Sequence, residues 1–480
     1  MKQFEIEGIK QHLRRDPLSG LNLEISQWAG GPSIALCRRP GFRRAFFSVA
    51  IPHGALDALN DGNEAIPAGG AHFLEHLCLS KPYGQNEVGP VAQLERLGVD
   101  FNAYTDYDRT VYYLSCVEHF EEAIHCLLEA ISEPQLDVAT IERERQVIAR
   151  ELDMVLEGTD ARCYQELMGK LFEHHGLKED VAGSKASIQA LSAQDLKHLH
   201  RRLYRFEDMK LLIVGDVDQD ALLHHVFDIE QRLKEKGDTG EKASSCHHRH
   251  LFPTPLATSA LDLGQIKKEL SAWREQGNLP SFVQRSRIED LDPYFILGLS
   301  DVQFEEKAEP EYGYERLRWL LAADLLLGMR IGSASQIHQE LIGGGLIHDS
   351  FYFQTYAFPD TRFILLGGPS IAPATVTEAL IDAMTSEAHD REEDFERRKR
   401  LWIGHYLNDC DGIESLGQLL TDLRLETSDR FMAQSALETL SLEEAKAQLR
   451  PLFERARAQL ILGEPSGFLS KMRREKGELK

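Results

Sequence analysis

Two stretches of this chain repeat one another half a chain apart, and that spacing restricts the possible folds more than any single residue does. The run LSAQDLKHLHRRLY, beginning at Leu191 and leading to LLIVGD at Leu211, has a counterpart in LSLEEAKAQLRPLF from Leu440, leading to QLILGEP at Gln459. Leu191 and Leu440 lie 249 residues apart and Gly215 and Gly463 lie 248 apart, so one duplication of about half the chain accounts for both. At 480 residues the chain exceeds what one ordinary core supports, and at least two domains are expected. Apolar helical stretches such as EHFEEAIHCLLEAISEP, from Glu118, alternate with short strand-like runs such as RRAFFSVAI and KLLIVGD. Helices packed on a mixed sheet follow from that alternation, one α/β unit per half. The expected division is a first domain over residues 1–234, a linker region over 235–285 and a second domain over 286–480.

Residues 69–76 read GGAHFLEH, with two histidines four positions apart and a glutamate between them. Positions i and i+4 of a helix share a face, so His72 and His76 can aim imidazole nitrogens at one ion while Glu75 stays beside them. Two neutral imidazoles and one carboxylate hold zinc at about 2.0–2.2 Å and leave a fourth position for water, whose pKa falls to about 7. Glu75 suits the general-base role, because it adjoins the ligands without being needed as one.

A third ligand has to come from elsewhere. The segment DVATIERERQVIARELDMVLEG, Asp137 to Gly158, carries charge throughout and has no internal Gly or Pro, which predicts one long helix. Ile141, Ile148 and Val155 recur every seven residues, and Glu144 and Glu151 fall between them at a spacing that completes the same inward face. Taken singly, these acids would be ordinary helix carboxylates paired with Arg145 or Arg150. Two inward carboxylates beside a paired-histidine helix point instead to a metal, since a buried unpaired carboxylate is costly; zinc would satisfy one of them.

The stretch IPAGGAHFLEH, the 75 residues from His76 to Glu151 and the run ERERQVIARELDMV together resemble the pitrilysin family of inverzincin metallopeptidases, which includes insulinase-type and mitochondrial-processing-type enzymes. Position by position, the resemblance implies His72, His76 and Glu151 as ligands of one zinc ion per chain. It also implies Glu75 as the base and Glu144 as an acid supporting a ligand. Phe101-Asn102-Ala103-Tyr104-Thr105, followed by Thr110-Val111-Tyr112, resembles the family's N-A-Y-T strand and its neighbour. That implies Asn102, Ala103 and Tyr104 as substrate-binding residues, where a peptide adds as a strand along a sheet edge. The implied fold class is α+β: two homologous α/β halves with mixed, largely antiparallel sheets and helices packed on one side, forming one half of a clamshell chamber. The implied activity is zinc-dependent endopeptidase action on peptides or unfolded segments, in leader-peptide processing or oligopeptide degradation. A non-catalytic peptide-binding or assembly subunit of the same family is the alternative.

The second half departs from that pattern. The position 249 residues beyond His72 is Leu321, so no metal site is expected there. Many relatives carry in this half an arginine and, further along, a tyrosine that bind the substrate carbonyl region, but here ELIGGGLIHDSF places Ile342 and His348 at those positions. Ile342 offers no donor, so carbonyl support of that kind is missing. The G-L-I-x-D-S-F wording resembles shorter bacterial members that work as unlike pairs. The partner implied is a homologous subunit without zinc ligands that keeps the arginine and tyrosine, giving a heterodimer, with a homodimer as the alternative.

Charge and cysteine usage narrow the remaining classes. Lys plus Arg number 54 against 77 Asp plus Glu, a net charge of −23 with no basic cluster, which argues against a nucleic-acid partner. The start MKQFEIEGIKQHLRRD lacks the apolar core of a signal peptide and no segment approaches roughly 18 consecutive apolar residues. No membrane association and a cytoplasmic location are expected. Seven cysteines without a C-x-x-C pair suit reduced thiols. Cys246-His247-His248-Arg249-His250 sits in a polar stretch and reads as linker, with no matching ligand pair at structural-zinc spacing.

Overall fold

The apolar runs pair into two sheets, each the centre of its own compact unit. The structure is a computed structural model and describes residues 8–59, 66–80, 89–235, 260–288, 292–301, 311–358, 360–421 and 432–465. The first unit comprises residues 1–152, 180–251 and 405–431, and the second 153–179, 252–404 and 432–480.

In the first unit the strands are β1 (Lys10–Arg15), β2 (Asn22–Gln27), β3 (Ser33–Arg38), β4 (Ala45–Ile51), β5 (Asp100–Thr105), β6 (Thr110–Cys116) and β7 (Lys210–Gly215). They form a seven-stranded sheet in the order β1-β2-β3-β7-β4-β6-β5. Every pairing is antiparallel except β3 with β7. The middle strand β4, AFFSVAI, is buried along nearly its whole length, which explains its unbroken apolar run. Its alternate side chains serve two faces. Phe47, Val49 and Ile51 join the core of Phe73, Leu74, Leu77, Ile124 and Leu127. Phe46 faces the other way, against the helix Ile413–Thr421, where a Cβ on Gly417 would stand 2.3 Å from its ring. Only a glycine lets the helix lie this close.

The second unit repeats the plan. Its strands are β8 (Ala260–Leu261), β9 (Val283–Ile288), β10 (Tyr294–Asp301), β11 (Tyr352–Phe358), β12 (Thr361–Pro369) and β13 (Ala456–Pro465). Their order is β11-β12-β10-β13-β8, with β9 parallel to β13. The series β5-β6-β4-β7-β3 thus corresponds to β11-β12-β10-β13-β9, including the parallel pair. Matching capping boxes, Ser192 with Asp195 and Ser441 with Glu444, start the helices that precede β7 and β13.

Relative to the contiguous blocks 1–234 and 286–480 expected from the sequence, two helices change places. Thr159–Leu171 belongs to the second unit, packing against β10 and β13, and a Cβ on Gly298 would meet Leu171 at 2.8 Å and Leu167 at 3.1 Å. Ile413–Thr421 belongs to the first. Leu167 and Leu416 are 249 residues apart, so the exchanged helices are themselves the repeat of one another. The physical reason is that each follows directly on a long helix, Val138–Glu157 or Glu392–Asp411, that carries the chain from one unit to the other.

Among the described residues, no helix is long and apolar enough to cross a membrane. Six cysteines, 37, 78, 116, 126, 163 and 410, are free and buried. Cys246 to His250 lie outside the described residues.

Candidate active site

The motif residues form the helix Gly70–Cys78, entered through Gly69 at φ 91°. A side chain at Gly69 would strike the Ala182 carbonyl oxygen at 2.5 Å, and one at Gly183 (φ 76°) the Ala68 carbonyl oxygen at 2.6 Å. These left-handed glycines let two segments lie in contact and aim the helix. Phe73, Leu74 and Leu77 bury its inner face, while His72 and His76 present rings 4.7 Å apart and inclined at 70°.

The predicted long helix is present as Val138–Glu157. Ile141 and Ile148 are buried as expected, but Val155 is 47% exposed and Leu152 takes the core position instead. A straight α-helix drifts by roughly 20° per heptad, which carries Val155 off the stripe after two repeats. Arg145 does not pair with Glu144 or Glu151. Its guanidinium donates to the carbonyls of Ile188 and Leu191, tying the helix to the first unit. Arg143 donates through Nε to Glu144 Oε1 at 3.1 Å instead.

His72, His76 and Glu151 come together as a group whose donor atoms all lie within 4.8 Å of one another and could hold a metal ion. Glu151 Oε2 is 3.2 Å from His76 Nε2, and Oε1 is 3.8 Å from His72 Nε2. Bonds of about 2.0–2.2 Å in a tetrahedron span donor–donor edges of roughly 3.4 Å, so the three donors fit zinc. Glu144 stands behind them, Oε2 at 3.7 Å from His76 Nδ1. A carboxylate on the far nitrogen of a ligating imidazole fixes its tautomer. His72 has no such support among the described residues, where its buried Nδ1 lacks a hydrogen-bond partner.

The electrostatics separate the two rings. Burial, with the neighbouring His76, lowers the His72 pKa to about 4, although Glu151 opposes this. Burial acts the same way on His76, but the hydrogen bonds it donates to Glu144 and Glu151 and the charges of Glu151 and Glu75 overcome it and raise His76 to about 9. His76 is the more basic ring because it faces two carboxylates. Burial raises Glu75 above the usual carboxylate range, against the Thr105 hydroxyl and His76. Glu151 is held low, chiefly by its hydrogen bond with His76.

These directions fix the pH dependence of metal uptake. Zinc needs neutral imidazoles. Below about pH 9 His76 carries a proton that zinc must displace, whereas His72 is already neutral at pH 7. Zinc affinity is therefore expected to rise about tenfold per pH unit between roughly pH 7 and 9 and to level off above, with one proton released per ion. Calorimetric titration in buffers of different ionisation enthalpy counts that proton; none released, or an affinity independent of pH, contradicts the assignment.

The donors open into a cleft of about 900 Å³. Asn102, Ala103, Tyr104 and Thr105 line it from β5, the terminal strand of the sheet, which among the described residues pairs only with β6. Asn102 Oδ1 accepts the Ala103 N–H at 2.8 Å, and the Thr105 hydroxyl donates to Glu75 Oε2 at 2.5 Å. The site residues expected in the first half thus meet in one cleft. Among the further lining residues are two ionisable side chains that the sequence did not single out, Arg143 and Asp180. Burial raises the Asp180 pKa, opposed by the Ala182 N–H it accepts at 2.8 Å. Neither carried a sequence signal, since Asp180 reaches the cleft only through the glycine contacts at Gly69 and Gly183.

Residues 49–185 match the family model described as insulinase (peptidase family M16), and residues 190–401 the model described as peptidase M16 inactive domain. An uncharacterized zinc protease of Bacillus subtilis, YmfH, is 23% identical over 453 residues, 93% of this chain and 95% of that protein. The probable mitochondrial-processing peptidase subunit beta of Schizosaccharomyces pombe is 28% identical over 222 residues, 46% of this chain and 48% of that one. Among solved structures, a putative M16-like peptidase from Alicyclobacillus acidocaldarius superposes with a TM-score of 0.74 at 22% identity, covering 96% of this chain and all of that one. Pitrilysin superposes with a TM-score of 0.64 at 15% identity, over 95% of this chain but 46% of its own. At these identities the structural likeness establishes the two-domain fold.

Proposed function

The chain belongs to the insulinase (M16) family of zinc peptidases, and we propose from that premise that it is a catalytic endopeptidase subunit cleaving extended peptides or unfolded segments. The observation that carries this reading is the meeting of His72, His76 and Glu151 within 4.8 Å beside an uncoordinated Glu75 in a cleft edged by β5.

Each residue contributes a distinct step. The terminal strand β5 pairs with β6 on one side and lines the cleft with Asn102, Ala103 and Tyr104, so a peptide adds along its outer edge by main-chain hydrogen bonds with little demand on its sequence. A zinc ion held by His72, His76 and Glu151 would supply Lewis acidity toward the scissile carbonyl and toward water. Glu75 takes the proton from the attacking water and returns it to the departing amine. Its partly buried carboxylate, pushed up in pKa, is a better proton acceptor than a solvated one. Glu144 holds the His76 ring and keeps its proton on Nδ1.

The second-half positions at which relatives are expected to carry the carbonyl-binding arginine and tyrosine hold other residues here. Ile342 is half-buried in the helix Gln336–Gly343 and His348 is exposed. We therefore assign the carbonyl-binding pair to a homologous subunit that lacks the zinc ligands, making the working enzyme a heterodimer. The alignment of this chain with about half of pitrilysin supports that arrangement. Removing one preorganised carbonyl donor costs about 10²–10³-fold in turnover, so this chain alone should cleave an internally quenched, unstructured peptide at least about 100-fold more slowly than when mixed with its partner. Full activity from the solitary chain contradicts the heterodimer and leaves the peptidase assignment intact. No cleavage by either preparation, with zinc bound, contradicts the peptidase assignment itself.

A further inference from the structure

We propose that Thr105 is the positioning residue of the reaction: its hydroxyl holds the Glu75 carboxylate so that Oε1 is the oxygen that accepts the water proton, and it ties that alignment to the strand on which the peptide docks. This rests on the reading of Glu75 as general base, and the experiment below separates the two.

The geometry is specific. Thr105 Oγ1 donates to Glu75 Oε2 at 2.5 Å, which occupies that oxygen and leaves Oε1 for the reaction. A glutamate side chain has a broad terminal torsion, and nothing on its own helix fixes it. A β-branched threonine is stiff at χ1, so a hydroxyl on it is a well-placed clamp. Its backbone is equally constrained. Thr105 is the last residue of β5 and pairs with Thr110 of β6, whose own hydroxyl donates to the His53 carbonyl at 3.2 Å. Two residues earlier, Ala103 lies on the stretch of β5 where substrate adds, with its N–H held by Asn102. A peptide that pairs along this strand therefore orders the same backbone that carries the clamp. Serine at this position would keep the donor but with a freer rotor, whereas valine keeps the shape and loses the donor.

The proton balance closes with the residues present. One O–H bond of water breaks as the Oε1–H bond forms, the water oxygen bonds to the carbonyl carbon, and the proton passes to the amine nitrogen as the C–N bond breaks. No other reactant is required. The Thr105 hydroxyl is committed to Glu75 Oε2, so the effect of removing it is expected in turnover and not in substrate affinity.

The test compares Thr105→Val, Thr105→Ser and Glu75→Gln in whichever assembly is active, measuring kcat and KM on quenched peptides and zinc by elemental analysis. Thr105→Val is expected to keep its zinc and its KM and to lose about 10- to 100-fold in kcat, and Thr105→Ser to recover to within a few-fold of the parent. If valine disturbs folding, Thr105→Ala removes the same hydroxyl and carries the same expectation. Parental kcat in both the valine and alanine variants overturns the inference while Glu75→Gln remains inactive. A raised KM at unchanged kcat overturns it as well, because Thr105 would then serve binding. Parental activity in Glu75→Gln removes the base assignment, and this inference with it.

Discussion

Replacing Glu75 by glutamine should leave one zinc ion per chain in place and lower kcat by about 10²–10⁴-fold, the range a positioned general base contributes. The change is nearly isosteric, and Glu75 is not one of the three grouped donors, so metal content has no reason to fall. What disappears is a carboxylate that lies beside the ion site in the cleft without belonging to the donor group. Glu151 is engaged by both imidazoles and Glu144 by His76 and Arg143. The glutamine amide can still accept from the Thr105 hydroxyl, so the side chain should stay in place. KM is expected to change little, since peptide affinity comes from the β5 edge. Steady-state kinetics with elemental analysis on the same preparation check this. Undiminished hydrolysis refutes the base assignment, and loss of zinc shows that Glu75 is a ligand.

Glu151→Ala has the opposite signature, losing metal first and activity as a consequence. The remaining pair, His72 and His76, supplies only two donors. If a ligand set worth roughly 10–16 kcal/mol shares its free energy evenly, each member carries on the order of 3 kcal/mol, more than a hundredfold in affinity. The variant should therefore leave purification largely without zinc and show no turnover at zinc concentrations that saturate the parent. Folding should survive, because the Glu151 side chain is 43% exposed and its alanine replacement empties no core position. Retention of one tightly held zinc per chain would move the third ligand elsewhere, with Glu144, 3.7 Å from His76 Nδ1, the next carboxylate.

Much of this was legible in the sequence because it rests on local rules. The duplication left its trace where a helix start needs a particular residue, at Ser192 and Ser441 with their acids three positions on. The i, i+4 histidines and the helical spacing of Glu144 and Glu151 state their shared faces directly. What stayed hidden depends on tertiary choices that periodicity does not encode. The stripe Cys163, Leu167, Leu171 shows that the helix Thr159–Leu171 buries one face, but not that it covers β10 rather than β4. Asp180 sits nearly 30 residues beyond Glu151 in a polar loop, and only the close approach of Gly69 and Gly183 brings it to the cleft. Thr105 was visible as part of a strand, yet its partner Glu75 was not, because a hydrogen bond between segments 30 residues apart leaves no spacing to read.

X-ray absorption at the zinc edge on the purified, zinc-loaded chain tests the central claim most directly. The expected result is one zinc per chain with two imidazole nitrogens at about 2.0–2.1 Å and carboxylate or water oxygens at about 2.0–2.2 Å, with no sulfur bound to the ion. A sulfur scatterer at about 2.3 Å, as Cys246 beside His247, His248 and His250 would produce, or a chain that takes up no zinc at all, would contradict it.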